Sequence, residues 1–285
     1  MRAREDEIRA IARELVAGLA DRGRCNFTTD YAEVLPIRIF LGLMDLPLAD
    51  APRLKSWADA LIRPGGDLSF AAAMERLFAY LAPHVDARRG RGGEDLLSRL
   101  LDTSPEGRPL DREECLKLAV QVLIAGLDTV VNFLGFVFLH LARDAALRRE
   151  LAADPARIPA AVEEFLRRYP LVTIGREVRE DLEIDGVLLR AGEMVATPTP
   201  LAALDDTFNP RPAEFDPHRG ARRSLTFGAG HHVCPGRFLT RAEVRITLEE
   251  WLRRIPDFWL PQGAEIRFRG GIVGVVEQLP LEWAH

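Results

Sequence analysis

Cysteine, lysine and net positive charge are all scarce in this sequence, and each shortage closes off a class of protein. Three cysteines in 285 residues, Cys25, Cys115 and Cys234, are too few and too scattered for a disulfide framework, which points to a reducing cytoplasm. Lys55 and Lys117 are the only lysines, so basic charge is carried almost wholly by arginine, a compositional bias without functional weight. With a net charge of -5, the chain has no global attraction for nucleic acid or anionic lipid. The opening "MRAREDEIRA" has no apolar stretch, which argues against a signal peptide. Internal repeats, low-complexity tracts and a convincing linker are also lacking. Residues 1–285 therefore read as one soluble domain, with a hydrophobic fraction of 47% that suits an ordinary packed core.

A single run is long and apolar enough to suggest a membrane span, "LAVQVLIAGLDTVVNFLGFVFL", Leu118 to Leu139. Gln121, Asp128 and Asn132 sit inside it, and a central Asp alone costs about 2.5–3.5 kcal/mol on insertion scales. The expectation is a buried core helix and no membrane partner.

What is present organises into a helical first half and a mixed second half. Ile8, Ile11, Leu15, Val16 and Leu19 follow helical spacing, and "DRGRCNF" ends that helix. Further helices are expected over "YAEVLPIRIFLGLMDL", "APRLKSWADALIR", "SFAAAMERLFAYLAPHVDARRG" and "DLLSRLLD". Asp111 with Glu114 three residues on forms a capping box, opening a helix that runs to about Arg143. From Leu171 the pattern alternates, with Asp-Gly and Ala-Gly turns that read as short strands. "DDTFNPRPAEFDPHRG" is too proline-rich for regular structure. A helix from about Gly236 to Arg254 and short terminal strands complete a fold that is mainly α with small β-sheets.

The stretch "LTFGAGHHVCPGRF", Leu225 to Phe238, carries the chemistry. Cys234 stands in a glycine-rich loop just ahead of a helix. A structural zinc site needs four ligands, usually paired as C-x₂-C, and His231, His232 and Cys234 on one short loop cannot surround a metal. A nucleophilic thiol would want a base and an oxyanion hole, with the helix N-terminus lowering its pKa. A buried structural cysteine is the plainest reading. Neither accounts for Gly228, Gly230 and Gly236 around it, which suggest backbone folded against a large flat object. An axial thiolate on haem iron fits that arrangement. Pro235 has no N–H, so donors to the sulfur are expected from Gly236, Arg237 and the following helix start.

"FGAGHHVCPG" resembles the F-x-x-G-x-[HR]-x-C-x-G signature of the cytochrome P450 haem-thiolate enzymes, through Phe227, Gly230, His232, Cys234 and Gly236. Upstream, Glu164 and Arg167 in "EEFLRR" look like the family's E-x-x-R helix. "AGLDT", Ala125 to Thr129, is similar to its oxygen-binding segment, although a Thr in an apolar helix also bonds back to its own carbonyl four residues earlier. The likeness to the bacterial camphor 5-monooxygenase group extends over essentially the whole chain, through "CNFTTDYAE", "PIRIF", "GLDTVVNFL", "EWLRRIPDF" and "GGIVGVVEQLPLEW".

The resemblance implies a cytochrome P450 fold lacking its N-terminal helices, since the chain opens in what resembles the middle of the family's N-terminal half. It implies haem b held by Cys234 as metal ligand, with Phe227, Gly228, Gly236 and Ala125 around it and Arg176 and His232 on its propionates. Asp128 and Thr129 would relay protons, with Lys55 and Arg63 paired to Asp128. Phe70, Gln121, Ile124, Val172, Ile272 and Val273 would line a small apolar, terpenoid-like substrate. Gln121 stands where the camphor enzyme is apolar, which suggests a more polar terpenoid. Ile174 replaces an acid, and Glu214 stands where much of the superfamily has arginine, leaving the third partner of Glu164–Arg167 open. The implied function is cytoplasmic O2-dependent hydroxylation, with electrons from a [2Fe-2S] ferredoxin and its NAD(P)H-dependent reductase. Arg237, Arg241 and Arg245, one helical stripe after the ligand, read more commonly as a solvated face, with docking of that acidic partner as the functional alternative. The alternative is a haem-binding protein without turnover, or an inactive truncated remnant.

Overall fold

The computed structural model describes residues 2–63, 65–104, 107–220 and 224–284, with the side chains of 2 and 3 set aside. Helix α1 (Arg2–Ala20) buries Ile8, Ala12, Val16 and Leu19, one stripe at helical spacing. A short strand β1 (Arg24–Asn26) and a π-turn over Thr28–Ala32 follow. Then come α2 (Val34–Met44), α3 (Ala51–Ile62), α4 (Phe70–Arg88) and α5 (Leu96–Leu101). Pro36 lies in the first turn of α2, where its missing N–H costs nothing.

The spine is α6 (Arg112–Arg143), opened by the expected capping box between Asp111 and Glu114. Its apolar surface is buried on both sides. Leu123, Leu127 and Val131 belong to a core shared with α2 to α5. Val130, Phe133, Leu134, Val137 and Phe138 belong to a second core built with α1, α7 (Ala145–Ala153), α8 (Ile158–Arg168) and α10 (Arg237–Arg254). In length and composition α6 could cross a membrane, but 67% of its most apolar window is buried within the protein, as in a core helix.

Among the described residues the strands form two-stranded antiparallel pairs. β2 (Thr173–Glu177) pairs with β5 (Met194–Pro198), and β3 (Leu182–Ile184) with β4 (Val187–Leu189). A one-turn helix α9 (Thr199–Ala203) leads into the proline-rich coil. β6 (Phe268–Arg269) pairs with β7 (Val275–Val276), and β8 (Pro280–Glu282) returns to β1 with Cys25 opposite Leu281. That last pair was not legible as a strand at all. It is fixed by contact between the two ends of the chain, where Trp283 donates from its indole Nε1 to the Ala20 carbonyl at 2.9 Å.

Candidate active site: a cysteine loop beneath the central helix

Four segments converge on one cleft of about 210 Å³. Helix α6 supplies Thr129, Val130 and Phe133; the end of α8 and strand β2 supply Leu166, Leu171, Val172 and Ile174. The glycine loop adds Thr226, Phe227, Gly228, His232 and Cys234, and α10 adds Thr240. The walls are apolar apart from three hydroxyls, one imidazole and one thiol.

The loop is held from several directions. The Cys234 amide donates to the Phe227 carbonyl at 2.8 Å, and the Gly228 amide to the Leu225 carbonyl at 2.8 Å. Gly228 and Gly230 have φ of 70° and 64°, the left-handed region where only glycine is unstrained. The Thr226 hydroxyl donates to the Leu166 carbonyl, tying the loop to α8, and the Arg241 guanidinium lies 4.8 Å over the Phe227 ring. Gly236 has an ordinary φ of -78°, and the space beside it would admit a Cβ at ordinary contact distance. A Cβ there would stand 3.7 Å from the Cys234 sulfur.

Cys25 and Cys115 are buried, while Cys234 is half-buried and faces the cleft. Burial pushes the Cys25 thiol up to about 12. Among the described residues no three His, Cys, Asp or Glu side chains come together as a metal site. Cys234 lies two residues ahead of Gly236, the N-cap of α10, and the amides ahead of Thr240 have no intrahelical acceptor. One expected donor is committed elsewhere, because the Arg237 amide is directed at the Cys234 carbonyl, 3.4 Å away. The chain's tight turn before the helix folds that amide back on the residue three earlier.

Above the cleft, Asp128 is fully buried. Arg63 Nη2 donates to both its carboxylate oxygens at 2.6 Å, and Lys55 Nζ lies 3.7 Å away, as expected. Asp59 joins them, accepting from Lys55 and Arg63 at 2.6 Å. The Thr129 hydroxyl lines the cleft and also donates to the Ala125 carbonyl at 3.2 Å. Gln121, Ala125 and Thr129 follow one another at four-residue intervals along one face of α6; Gln121 and Ala125 are exposed.

The other expected positions divide. Val273 is joined to Val172 by a β-bridge and is buried. Ile124 packs into the core shared with α2 to α5. Phe70 and Ile272 are 58% and 51% exposed and stand outside the cleft walls, since the segments bearing them run over the surface. Arg176 is exposed, two residues beyond Ile174 on β2 and so on the same strand face, and its guanidinium donates to the Gly175 carbonyl at 2.8 Å. Two of the three arginines in the α10 stripe are ion-paired, while Arg237 donates to the Cys234 carbonyl at 3.1 Å. Arg241 pairs with Glu163 at 2.5 Å, and Arg245 with Glu5 at 2.7 Å and Glu249 at 2.9 Å. These arginines bind α10 to α8 and α1 rather than offering charge to a partner.

Behind the cleft, Glu164 and Arg167 form a buried two-pronged pair at 2.8 and 2.9 Å. The third partner left open by the sequence is Arg219. Its Nε donates to Glu164 at 3.3 Å, and its other nitrogens donate to the carbonyls of Pro210, Arg211 and Glu214. Arg167 likewise donates to the carbonyls of Ala203, Pro212 and Glu214. The irregular coil is thus tied through its carbonyls to two guanidiniums. Burial alone would raise the Glu164 carboxyl, but Arg167 and the Asp216 amide hold it below the ordinary carboxylate range. Leu166, Leu171, Thr226 and Thr240 escaped sequence reasoning because no periodicity marks them. Phe133 could have been found, one helical turn after Thr129.

A thiol presented by a glycine loop to an apolar cleft, opposite an Asp-Thr pair and locked by a buried Glu-Arg-Arg cluster, defines the haem-thiolate oxygenases. The chain belongs to the cytochrome P450 family, whose model, Cytochrome P450, matches residues 74–256; its members bind haem b through a cysteine thiolate and act as monooxygenases. It is 33% identical over 283 residues to the probable cytochrome P450 127A1 of Sinorhizobium fredii, covering 99% of this chain and 68% of that protein. It is 34% identical to the mycinamicin IV hydroxylase/epoxidase of Micromonospora griseorubida, covering 96% of this chain and 71% of that one. The crystal structure of CYP101J2 superposes with a TM-score of 0.91 at 46% identity, covering all of this chain and 71% of its own.

Proposed function

We propose that Cys234 would hold haem b through its thiolate and that the chain catalyses insertion of one atom of O2 into a small apolar, terpenoid-like substrate. The accessible sulfur in an apolar cleft at a helix N-terminus carries the reading, and the residues present fit the group. Gly228 and Gly230 give the loop its left-handed turns, Gly236 leaves only ordinary contact beside the sulfur, and the first amides of α10, without intrahelical acceptors, suit an anionic ligand atom. When bound, haem supplies reductive activation of O2, which a thiolate ligand promotes.

The chain's own residues do the rest. Val130, Phe133, Leu171, Val172 and Ile174 exclude water and give an apolar substrate its driving force. The Thr129 hydroxyl would pass a proton inward, with Asp128, held by Arg63 and Lys55, as its neighbour in the relay. His232 and Arg176 would meet the haem propionates at the rim. Gln121, which has no partner among the described residues, would hydrogen-bond an oxygen on the substrate, favouring a polar terpenoid over a hydrocarbon. Electrons would come from a [2Fe-2S] ferredoxin and its NAD(P)H-dependent reductase, and the protein would work in the cytoplasm as one domain.

The ligand assignment is tested by the spectrum of the reduced CO complex. Wild type should show the long-wavelength Soret band of a thiolate haem, Cys234→Ala should lose it, and Cys25→Ala and Cys115→Ala should keep it. Retention of the band in Cys234→Ala would remove the assignment.

A further inference from the structure

A second pocket, of about 440 Å³, opens further along α6 toward its C-terminus from the thiol cleft, between the ends of α6 and α8, the start of α7, and strand β6. Its walls include the rings of Phe136, Tyr169 and Phe268, with Phe136 stacked on Tyr169 at 6.0 Å and Phe268 55% exposed. Its polar groups are mostly donors. Arg143 has no ion-pair or hydrogen-bond partner among the described residues. Arg168 donates its Nε to the Ala213 carbonyl and lies 5.0 Å over Tyr169, leaving its two terminal nitrogens uncommitted.

His140 adds a third donor. Its Nδ1 is 2.7 Å from the Tyr169 hydroxyl, and its Nε2 is buried without a hydrogen-bond partner. Burial lowers the imidazole's pKa, so near neutral pH the ring is uncharged. The Tyr169 hydroxyl, with no other acceptor in reach, then donates to Nδ1 and leaves the proton on Nε2. Asp144 is the one acid in the lining; its Oδ2 is 3.9 Å from Nε2, beyond hydrogen-bonding, and its Oδ1 caps α7 through the Leu147 amide. A buried donor facing an aromatic pocket with two arginines calls for an acceptor.

We infer that this pocket binds a small aromatic carboxylate, its ring against Phe136, Tyr169 and Phe268 and its carboxylate met by Arg143, Arg168 and His140. Such a ligand touches the segment that runs on into the thiol cleft, from Tyr169 to Leu171 and Val172, while the two sites share no lining residue. The site is therefore a second binding site, separate from the reaction centre.

Isothermal titration of the full chain with sodium benzoate tests this. One equivalent should bind, with benzyl alcohol and inorganic phosphate each at least roughly tenfold weaker, because either ring or charge is then missing. Arg143→Gln, an exposed substitution, should weaken benzoate by roughly tenfold, the loss expected for one charge-assisted contact. Cys234→Ala should bind benzoate like wild type, so this inference and the haem reading fail separately. No binding, equal binding by Arg143→Gln, or phosphate or benzyl alcohol matching benzoate would each overturn it.

Discussion

Two buried acids behind the site live under opposite conditions. Glu164 is met by two arginines and the Asp216 amide, and its carboxyl sits below its ordinary value. Glu243 on α10 is equally buried, with no cation offsetting its burial among the described residues, and burial raises its pKa from 4.5 to about 8. The folded state therefore keeps a proton on Glu243 across a range in which the unfolded chain releases it. That contribution is complete below the unfolded value and is lost as pH rises through the folded one. Glu164 works the other way, contributing above its unfolded value and losing that contribution as pH falls through its depressed folded one. Glu243→Gln removes the titration while keeping the shape. Its melting temperature relative to wild type should rise between about pH 5 and about pH 8.5, by a stability difference on the order of a few kcal/mol. A difference that stays flat over that range would mean the Glu243 carboxyl does not titrate in the core as inferred.

At the scale of elements, α6 is both the spine and the distal wall, and its position is set by a close approach. A Cβ on Gly126 would lie 2.3 Å from ring carbons of Phe40 on α2. Helix propensity favours Ala over Gly by about 1 kcal/mol, yet here packing decides. Gly126→Ala should destabilise the protein by roughly 1–3 kcal/mol through overpacking, shifting the urea midpoint downward. Since the two sites touch, a cycle with Phe40→Ala should show coupling of about 1 kcal/mol or more, the double variant being less damaged than the sum. Additivity within about 0.3 kcal/mol would disprove the clash. The same element shows how local signals reach their limit. The capping box set where α6 begins, and its apolar run set that it is buried, but neither said that α2 would press on Gly126.

Across the whole molecule, the first helix and the end of the chain are closed on each other. Arg9 and Arg13 on α1 reach Glu250 on α10, with Arg9 also on Glu249, and Arg245 returns to Glu5. β1 pairs with β8, and the Trp283 ring packs edge-on against Trp251, 5.9 Å between centroids. Trp283→Ala removes a buried indole and its hydrogen bond to Ala20, at a cost of about 3–5 kcal/mol. Hydrogen exchange should then lose protection first in α1 and β1, before α6. Unchanged exchange in α1 would show that the ion pairs to α10 hold the seam alone.

The sequence by itself determined the helices with strong periodicity, the irregular coil, the glycine-rich turn that carries Cys234 and the place of Asp128 and Thr129 on α6. Each of these is written in residues close together along the chain, where spacing and turn chemistry act directly. It did not determine Arg219 as the third member of the Glu164 cluster, the neutralisation of Arg241 and Arg245, or the exposure of Phe70 and Ile272. Nor did it show the pairing of β1 with β8 or the pocket around His140. Those depend on which distant segments meet. A guanidinium's partner or a strand's neighbour is chosen by the packing of α1, α6, α8 and α10 around shared cores, because burial energy is spread over many contacts and no short motif records it.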